Sequence, residues 1–449
     1  MSRVRNMTEG KPILHIITFA LPLMLGNVFQ QLYTVVDTMV VGQALGVNAL
    51  AALGAVDWLN WLMLGIVQGL TQGFAIRMAQ EFGAGQIEQL KKTVGNSVTL
   101  AGISTVFLLI IGQLVARPSL VLLQTPDAIM QDALLYLRIM YLGVPIVMAY
   151  NLLACILRAL GDGKTPLHAM IVASFTNIVL DILFVIVFHW GIAGAAAATL
   201  IAQVVSGLFC MWHIRRIDIL RMGKEHFAMQ AGIAGHLFLL GLPMAFQNSI
   251  ISIGGMVVQT VVNGFGVIFI AGFTATNKLY GLLEIAATSY GYAMTTYVGQ
   301  NLGAGKKERI QKGVRAAVAV AMVTSIVIAA VMIFFGKIIL GWFISGTPEQ
   351  TTQALQIAYY YLVIMSVCLP ILYILHVVRS AIQGMGNTVL PMVSGIAEFV
   401  MRAVSALILP RVVGETGIFY AEVLAWLGAD VILVASYLVL IRRWKRQEI

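Results

Sequence analysis

The chain has 449 residues, of which 59% are hydrophobic and only 10% are charged. Soluble domains contain about 25% charged residues, and a soluble fold with so apolar a surface would aggregate. The composition therefore excludes a soluble protein and indicates a helical protein that crosses a membrane many times. The net charge of +9 does not indicate a nucleic-acid partner, because the basic residues fall in short loops between apolar runs.

Apolar runs long enough to span a bilayer, which takes about 20 residues, recur along the whole chain. The polar and basic segment before the first run has no cleavable signal pattern, so we expect the first span to be retained. Cys155, Cys210 and Cys368 lie in apolar runs and indicate neither a disulfide framework nor a metal site. We predict an all-α membrane protein with about twelve spans, centred near Val28, Leu64, Thr105, Gly143, Leu180, Val205, Ser252, Thr288, Ser325, Leu369, Arg402 and Val431.

Basic residues mark every second segment between the predicted spans. Lys91 and Lys92 follow the second span and Arg215 and Arg216 follow the sixth, whereas segment 42–46 after the first span has no Lys or Arg. The positive-inside rule then predicts that both termini lie in the cytoplasm.

The sequence repeats itself at an offset near 220 residues. Segment 80–85, QEFGAG, returns at 300–305 as QNLGAG, and segment 161–165, GDGKT, returns at 384–388 as GMGNT. Two six-span halves that both start inside must be related by a pseudo-two-fold axis along the membrane normal, as in parallel-repeat transporters. The predicted units are an N-lobe at residues 1–214, a cytoplasmic linker at 215–230 and a C-lobe at 231–449.

The fifth predicted span carries an ionisable residue inside an apolar run, residues 166–190. Asn177 and Asp181 are four residues apart and so share one helix face. A carboxylate at membrane depth costs about 2.5–3.5 kcal/mol on insertion scales, and such residues usually mark an ion or substrate path. The alternative is an interhelical hydrogen bond that only holds helices together.

Several motifs together resemble the multidrug and toxic compound extrusion (MATE) transporters over essentially the full length. They are Leu21-Pro22, Asp37-Thr38, the GAG segments at 83–85 and 303–305, RALGDGKTP at 158–166, and Asn177 with Asp181. The chain is most similar to the branch with carboxylates in its first half, the bacterial DNA-damage-inducible (DinF-like) group of the MOP flippase superfamily. This resemblance implies a multi-pass protein of the bacterial inner (plasma) membrane, in contact with lipid, that is not an enzyme and carries small organic substrates.

The resemblance also implies a cation site, which in this sequence comprises Asp37, Asn177, Asp181 and Thr199. Two adjacent carboxylates cannot easily both be charged without a counter-ion, so one takes a proton, or sodium binds at Asp37, Asn177 and Asp181. Either event changes the charge in a dry pocket and can bias a two-state structure. For Thr199 the alternative is a hydrogen bond back to its own helix.

The second half carries charges of another kind. Glu398 and Arg402 lie at i and i+4 in span eleven and can neutralise each other, while the roles of Glu422 and Asp430 stay open. A second branch of the family places its carboxylates in spans seven and ten, and the absence of a carboxylate from the predicted tenth span disfavours it. An interfacial position explains Asp57, near the outer start of span two.

On the family's plan, spans one, two, seven and eight line a substrate cavity between the halves. Met and aromatic side chains suit varied flat cations through adaptable packing and cation–π contact. Glu284 can contact a cationic substrate, or alternatively pair with a buried base. For each of the other candidates, packing in the core or against lipid is the alternative. The candidates are Gln30, Gln31, Tyr33, Trp61, Gln68, Gln247, Met256, Tyr280, Glu284 and Tyr290.

The sequence has no G-x-x-x-x-G-K-[ST] motif and no soluble domain to hold a nucleotide, and we expect no cofactor. The predicted function is therefore proton- or sodium-coupled antiport that exports organic, cationic or amphipathic compounds by alternating access, as in multidrug efflux. The alternative is a flippase for lipid-linked saccharide precursors, whose cavity would be rich in bases such as Arg77, Arg138 and Lys278. A receptor or channel would need neither the repeat nor the paired carboxylates.

Overall fold

The computed structural model describes residues 4–344 and 347–447, and the regular structure within these residues is helical, without β-strands. The outer limits of the predicted lobes, residues 1 and 449, lie outside the described residues. The first seven helices are α1 (Pro12–Leu45), α2 (Val47–Gly83), α3 (Ile87–Leu122), α4 (Asp127–Leu142), α5 (Val144–Ala159), α6 (Lys164–Asp181) and α7 (Gly191–Ile214). The next seven are α8 (Ala231–Val262), α9 (Val267–Gly303), α10 (Lys307–Gly341), α11 (Pro348–Val367), α12 (Leu369–Gly384), α13 (Val389–Val413) and α14 (Tyr420–Gln447).

Most of these helices are membrane spans by length and composition. Within residues 4–344 and 347–447, nine helices are long and apolar enough to cross a membrane, and two bent helix pairs add two more spans. Helix α9, with 37 residues, is a further long helix. The predicted all-α, multi-pass architecture with about twelve spans is thereby confirmed.

The two bent spans have the same cause. Helices α4 and α5 meet at 47° and helices α11 and α12 meet at 48°. Pro145 and Pro370 lie in the first turn of the second helix of each pair. Because proline has no backbone N–H and its ring clashes with the preceding turn, the first helix cannot run straight on. The bends occupy corresponding places in the sequence repeat.

The described residues form two compact units, and each unit combines segments that are not consecutive in the sequence. The first unit contains Leu21–Ala245, the N-terminal residues up to Glu9, and the short segment Gly299–Gly305. The second contains Gly10–Ala20, Phe246–Val298 and the chain from Lys306 onward. The division into residues 1–214, 215–230 and 231–449 stays a prediction.

Within the first unit, the repeated segments 80–85 and 300–305 contact each other. A Cβ atom at Gly83 would overlap the backbone of Gln300, and a Cβ atom at Gly303 would overlap the backbone of Gln80. The contact is thus reciprocal, with a glycine of each segment against the main chain of the other. Only glycine permits so close an approach, which explains why both copies of the repeat carry it.

The side chain of Gln300 is fully buried and holds the N-terminal segment at this contact. Its Oε1 accepts a hydrogen bond from the backbone N–H of Met7 at 2.9 Å, and its Nε2 donates to the carbonyl of Ala159 at 2.9 Å. Asn301 donates to the carbonyl of Met7 at 3.3 Å. A buried amide whose groups are satisfied in this way fixes the geometry of the segments that it joins.

The predicted linker runs along the start of α3. The side chain of Asn96 accepts from the backbone N–H of Gln230 at 2.7 Å and donates to the carbonyl of Ala228 at 3.3 Å. The buried ring of His226 lies 3.2 Å, through Nε2, from Oε2 of Glu88. This part of the predicted linker is therefore packed against α3 rather than extended, and it belongs to the first unit.

The glycine contact predicts a stability effect. We expect Gly83→Ala to lower the free energy of unfolding by about 1–3 kcal/mol, because an added methyl group overpacks a backbone contact. Gly54→Ala, in the same helix, is the control, since its Cβ would meet no atom of the described structure within 4 Å. The measurement is the melting temperature of each purified variant in detergent, and equal melting of the two variants would contradict the prediction.

Candidate functional site

Asn177 and Asp181 lie on one face of α6, and both are completely buried. The helix turns into a π-helical segment, Ile182–Val187, directly after Asp181. Such π-helical turns occur often at functional sites. The chain then begins α7, from which Thr199 reaches back, and Nδ2 of Asn177 lies 3.4 Å from Oγ1 of Thr199. The α6–α7 hairpin therefore brings together three of the four predicted cation-site residues.

Helix α1 brings the fourth residue, Asp37. A Cβ atom at Gly26 would lie 3.5 Å from the Cα of Leu167, so α1 contacts α6. Further along, the hydroxyl of Ser174 donates to the carbonyl of Phe29 at 3.2 Å. Asp37 follows Phe29 by eight residues and Asp181 follows Ser174 by seven, so the two carboxylates reach the same level, about 10–12 Å beyond that contact. Their carboxyl groups lie side by side.

The site has more hydrogen-bond acceptors than donors. Asp37 is only 6% exposed. Oδ1 of Asp37, Oδ1 of Asn177 and both carboxylate oxygens of Asp181 are buried without a hydrogen-bond partner among the described residues. Burying such groups unpartnered costs free energy, most of all for a charge. The arrangement fits a proton, or a cation that prefers oxygen ligands.

The described chain contains no group of three or more His, Cys, Asp and Glu side chains arranged to hold a metal ion. The cluster in α1, α6 and α7 is of a different type, with two carboxylates, one amide and one hydroxyl. Such a donor set offers only oxygen ligands, which hard cations prefer. The residues predicted for sodium, Asp37, Asn177 and Asp181, fit this chemistry.

Three further polar side chains lie near the carboxylates of the site. Tyr136 of α4 is buried and lies within electrostatic range of both Asp37 and Asp181. Tyr33, one turn before Asp37, also lies within electrostatic range of both carboxylates. Asp57 of α2, interpreted from the sequence as interfacial, is exposed and lies within range of Asp37. The sequence signal for Tyr33 is its i, i+4 spacing from Asp37, which places both side chains on one face of α1. No local sequence signal points to Tyr136, because only the packing of α4 brings this residue to the site.

The second unit contains a different kind of buried cluster. Glu398 accepts from Nη2 of Arg379 at 2.6 Å and from Nη2 of Arg402 at 2.9 Å. Arg402 also donates to Oε2 of Glu422 at 2.8 Å. The predicted contact between Glu398 and Arg402 is therefore present, within a chain of two arginines and two glutamates that neutralise each other. Asp430 is 9% exposed, and its Oδ1 has no partner among the described residues.

The predicted substrate-cavity residues differ in how far they are exposed. In the first unit, Trp61 is 57% exposed, and the other candidates there are half-buried, namely Gln30, Gln31, Tyr33 and Gln68. In the second unit, Met256, Tyr280 and Glu284 are half-buried, and Glu284 lies 3.6 Å from His376.

Two of the candidates are buried in the second unit. Gln247 accepts from Gln383 at 3.4 Å, and the hydroxyl of Tyr290 lies 2.8 Å from that of Thr324. These contacts favour the packing alternative for Gln247 and Tyr290. The assignment of the ten residues to a substrate cavity stays a prediction.

Known proteins share both this sequence pattern and this fold. The profile of the MatE family matches residues 22–183 and 243–408. The chain is 30% identical over 311 residues to the "Probable multidrug resistance protein YpnP" of Bacillus subtilis (strain 168), with 68% of each chain covered. It is 25% identical over 338 residues to the "DNA damage-inducible protein F" of Escherichia coli (strain K12), with 74% of this chain and 72% of that protein covered.

Among solved structures, the chain is similar to the "Outward-facing conformation of a multidrug resistance MATE family transporter of the MOP superfamily". The TM-score is 0.91 at 22% identity, and 99% of both chains is covered. Fold and sequence together define a multi-pass membrane transporter rather than an enzyme. The chain belongs to the MATE family. Membership of the branch with carboxylates in the first half stays a prediction.

The buried cluster of the second unit predicts a stability effect. Glu398→Gln should lower the free energy of unfolding by about 3–5 kcal/mol, because it leaves two buried arginines without full compensation. Glu308→Gln is the control, since Glu308 is exposed and its pair with Lys312 is a loose surface contact at 3.9 Å. The measurement is thermal unfolding of both purified variants, and a Glu398→Gln protein as stable as the control would contradict the prediction.

Proposed function

We propose that this protein is a cation-coupled antiporter that exports organic, cationic or amphipathic compounds by alternating access. The observation that carries the proposal is the buried pair Asp37–Asp181, because Oδ1 of Asp37 and both carboxylate oxygens of Asp181 lack hydrogen-bond donors among the described residues. The names of the relatives, which refer to multidrug resistance, support export of varied small organic molecules.

The site residues have complementary roles in this proposal. Asp37 and Asp181 hold the coupling ion, a proton or sodium, and the ion removes the repulsion between them. Asn177 and Thr199 offer further oxygen atoms and fix the α6–α7 hairpin through their contact at 3.4 Å. Because the ion changes the charge of a water-poor site, it favours one packing of α1 against α6 over another.

The cycle follows from this charge change. The ion binds from outside, the transporter releases its organic substrate outward, and the ion then leaves to the cytoplasm as the site turns inward. One charge that crosses 100 mV supplies about 2.3 kcal/mol, so an ion gradient can drive export without a nucleotide. The alternating basic segments support a plasma-membrane orientation with both termini in the cytoplasm.

The flippase alternative is the weaker of the two. It needs several bases free to hold a phosphate headgroup, and the sequence offers Arg77, Arg138 and Lys278. In the structure, Nε of Arg77 donates to Oε1 of Glu81 at 2.8 Å. One of the three bases is therefore already paired within its own helix.

The ion pair predicts which substitutions abolish coupling. We expect Asp37→Asn and Asp181→Asn each to reduce gradient-driven export to background, because an amide can neither take the proton nor supply the charge that sodium needs. Folding should be preserved, since each change removes a buried charge. The measurement is efflux of a fluorescent organic cation from proteoliposomes, together with the melting temperature of each variant.

Asp132→Asn is the matched control, an exposed carboxylate on α4 of the same unit. Folded Glu398→Gln protein should also keep its coupling, because Glu398 belongs to the self-neutralised cluster of the second unit. Normal export by both the Asp37→Asn and Asp181→Asn variants would refute the ion site. A coupling defect in folded Glu398→Gln as large as theirs would move the site to the second unit.

The identity of the ion is decided by imposing one gradient at a time. Proteoliposomes with either a pH gradient or a sodium gradient should export the fluorescent cation under one of the two conditions, and Asp37→Asn should abolish that export. If neither gradient moved the cation through the wild-type protein, coupled antiport would be excluded, and a fluorescent lipid would be the next substrate to test.

A further inference from the structure

A third carboxylate, Asp57, lies across the α1–α2 hairpin from the ion site. Gly46, with φ of 85°, makes the turn between the two helices. Asp37 precedes Gly46 by nine residues and Asp57 follows it by eleven, so they lie about 14 Å and about 16 Å from the turn along their helices. A Cβ atom at Gly42 would lie 3.5 Å from Leu50, so the hairpin is closed. The two carboxylates are therefore at nearly the same depth.

The hairpin also joins the wall of the ion site. Val41 of α1, Val56 of α2 and Tyr136 of α4 belong to one buried apolar cluster. Tyr136 lies within electrostatic range of Asp37, Asp57 and Asp181. Packing thus holds Asp57 next to the pair rather than at an unrelated place on the surface.

Exposure distinguishes Asp57 from the pair. Its side chain is exposed, whereas Asp37 is 6% exposed and Asp181 is completely buried. The three carboxylates thus form a series from the surface inward. Helix α2 is about 55 Å long, well beyond the roughly 30 Å hydrocarbon core. If α2 is centred in the bilayer, a residue about 16 Å from its end lies near the rim of the hydrocarbon, within reach of water.

An exposed carboxylate at the mouth of a low-dielectric site has a known physical effect. It concentrates cations locally and can raise their rate of arrival by tenfold or more, and this effect falls with ionic strength. This effect matters most for a buried pair of carboxylates, because their own electrostatic field reaches the surrounding water only weakly.

We propose that Asp57 collects the coupling cation at the outer rim of the first unit and passes it to Asp37 and Asp181. This inference depends on the proposed cation-coupled function. Asp57 is in this view a positioning residue that acts on the approach of the ion. It does not hold the ion during the conformational change, so its loss should slow loading without abolishing coupling.

The test is the initial rate of export in proteoliposomes as a function of the driving-ion concentration. At low ionic strength, Asp57→Asn should raise the concentration that gives half-maximal rate by about threefold to tenfold, with the maximal rate within about twofold of wild type. Raising the ionic strength with potassium gluconate should remove most of this difference, since screening shortens the reach of the charge. Asp57→Glu should behave like wild type, and Asp132→Asn, another exposed carboxylate of the same unit, should show no shift.

The results distinguish a failure of the proposed role of Asp57 from a failure of the antiport proposal. If the wild-type protein responds to a gradient and Asp37→Asn abolishes the response, the antiport proposal stands. An Asp57→Asn protein with unchanged half-maximal concentration, or with a shift that salt does not reduce, would then overturn the role of Asp57 alone. A shift in the half-maximal concentration of the organic substrate instead of the ion would likewise overturn it. A wild-type protein that neither gradient drives would overturn both.

Discussion

Two carboxyl groups side by side in the interior of a membrane protein require a positive charge that the surrounding chain does not supply. Among the described residues, no lysine, arginine or histidine contacts Asp37 or Asp181, and most of their oxygen atoms have no donor. In a low-dielectric surrounding, this deficit has to be met by a proton or a cation. This requirement is the physical basis of the proposed coupling to an ion.

The second unit compensates its buried charges with its own side chains. Its buried charges, Arg379, Glu398, Arg402 and Glu422, alternate in sign and hold one another at 2.6–2.9 Å. Such a cluster needs no external ion, although breaking it is costly. The two copies of the repeat thus share helix order and bends but differ in electrostatics. That difference is what makes the first unit the better candidate for coupling.

Helix geometry explains how distant residues meet. Asp37 lies about two turns before the C-terminal end of α1, while Asp57 and Thr199 lie about three and about two turns after the N-terminal ends of α2 and α7. Asp181 is the last residue of α6. Because α2 begins where α1 ends and α7 begins soon after α6 ends, these distances place the side chains at a similar level. The π-helical segment after Asp181 shifts the helix phase immediately above the site. At the other end of the helices, glycine contacts such as Gly83 against Gln300 hold the main chains together.

The sequence by itself determined the class of protein, because the length and number of apolar runs leave few alternatives in a membrane. It also singled out Asn177 and Asp181, since an amide and a carboxylate one turn apart are conspicuous in an apolar run. Only the tertiary structure decided that Asp37 lies beside Asp181, that Tyr136 lies near both and Asp57 near Asp37, and which glutamate compensates which arginine. Those relations depend on packing between helices far apart in the chain, and local periodicity carries no information about such contacts.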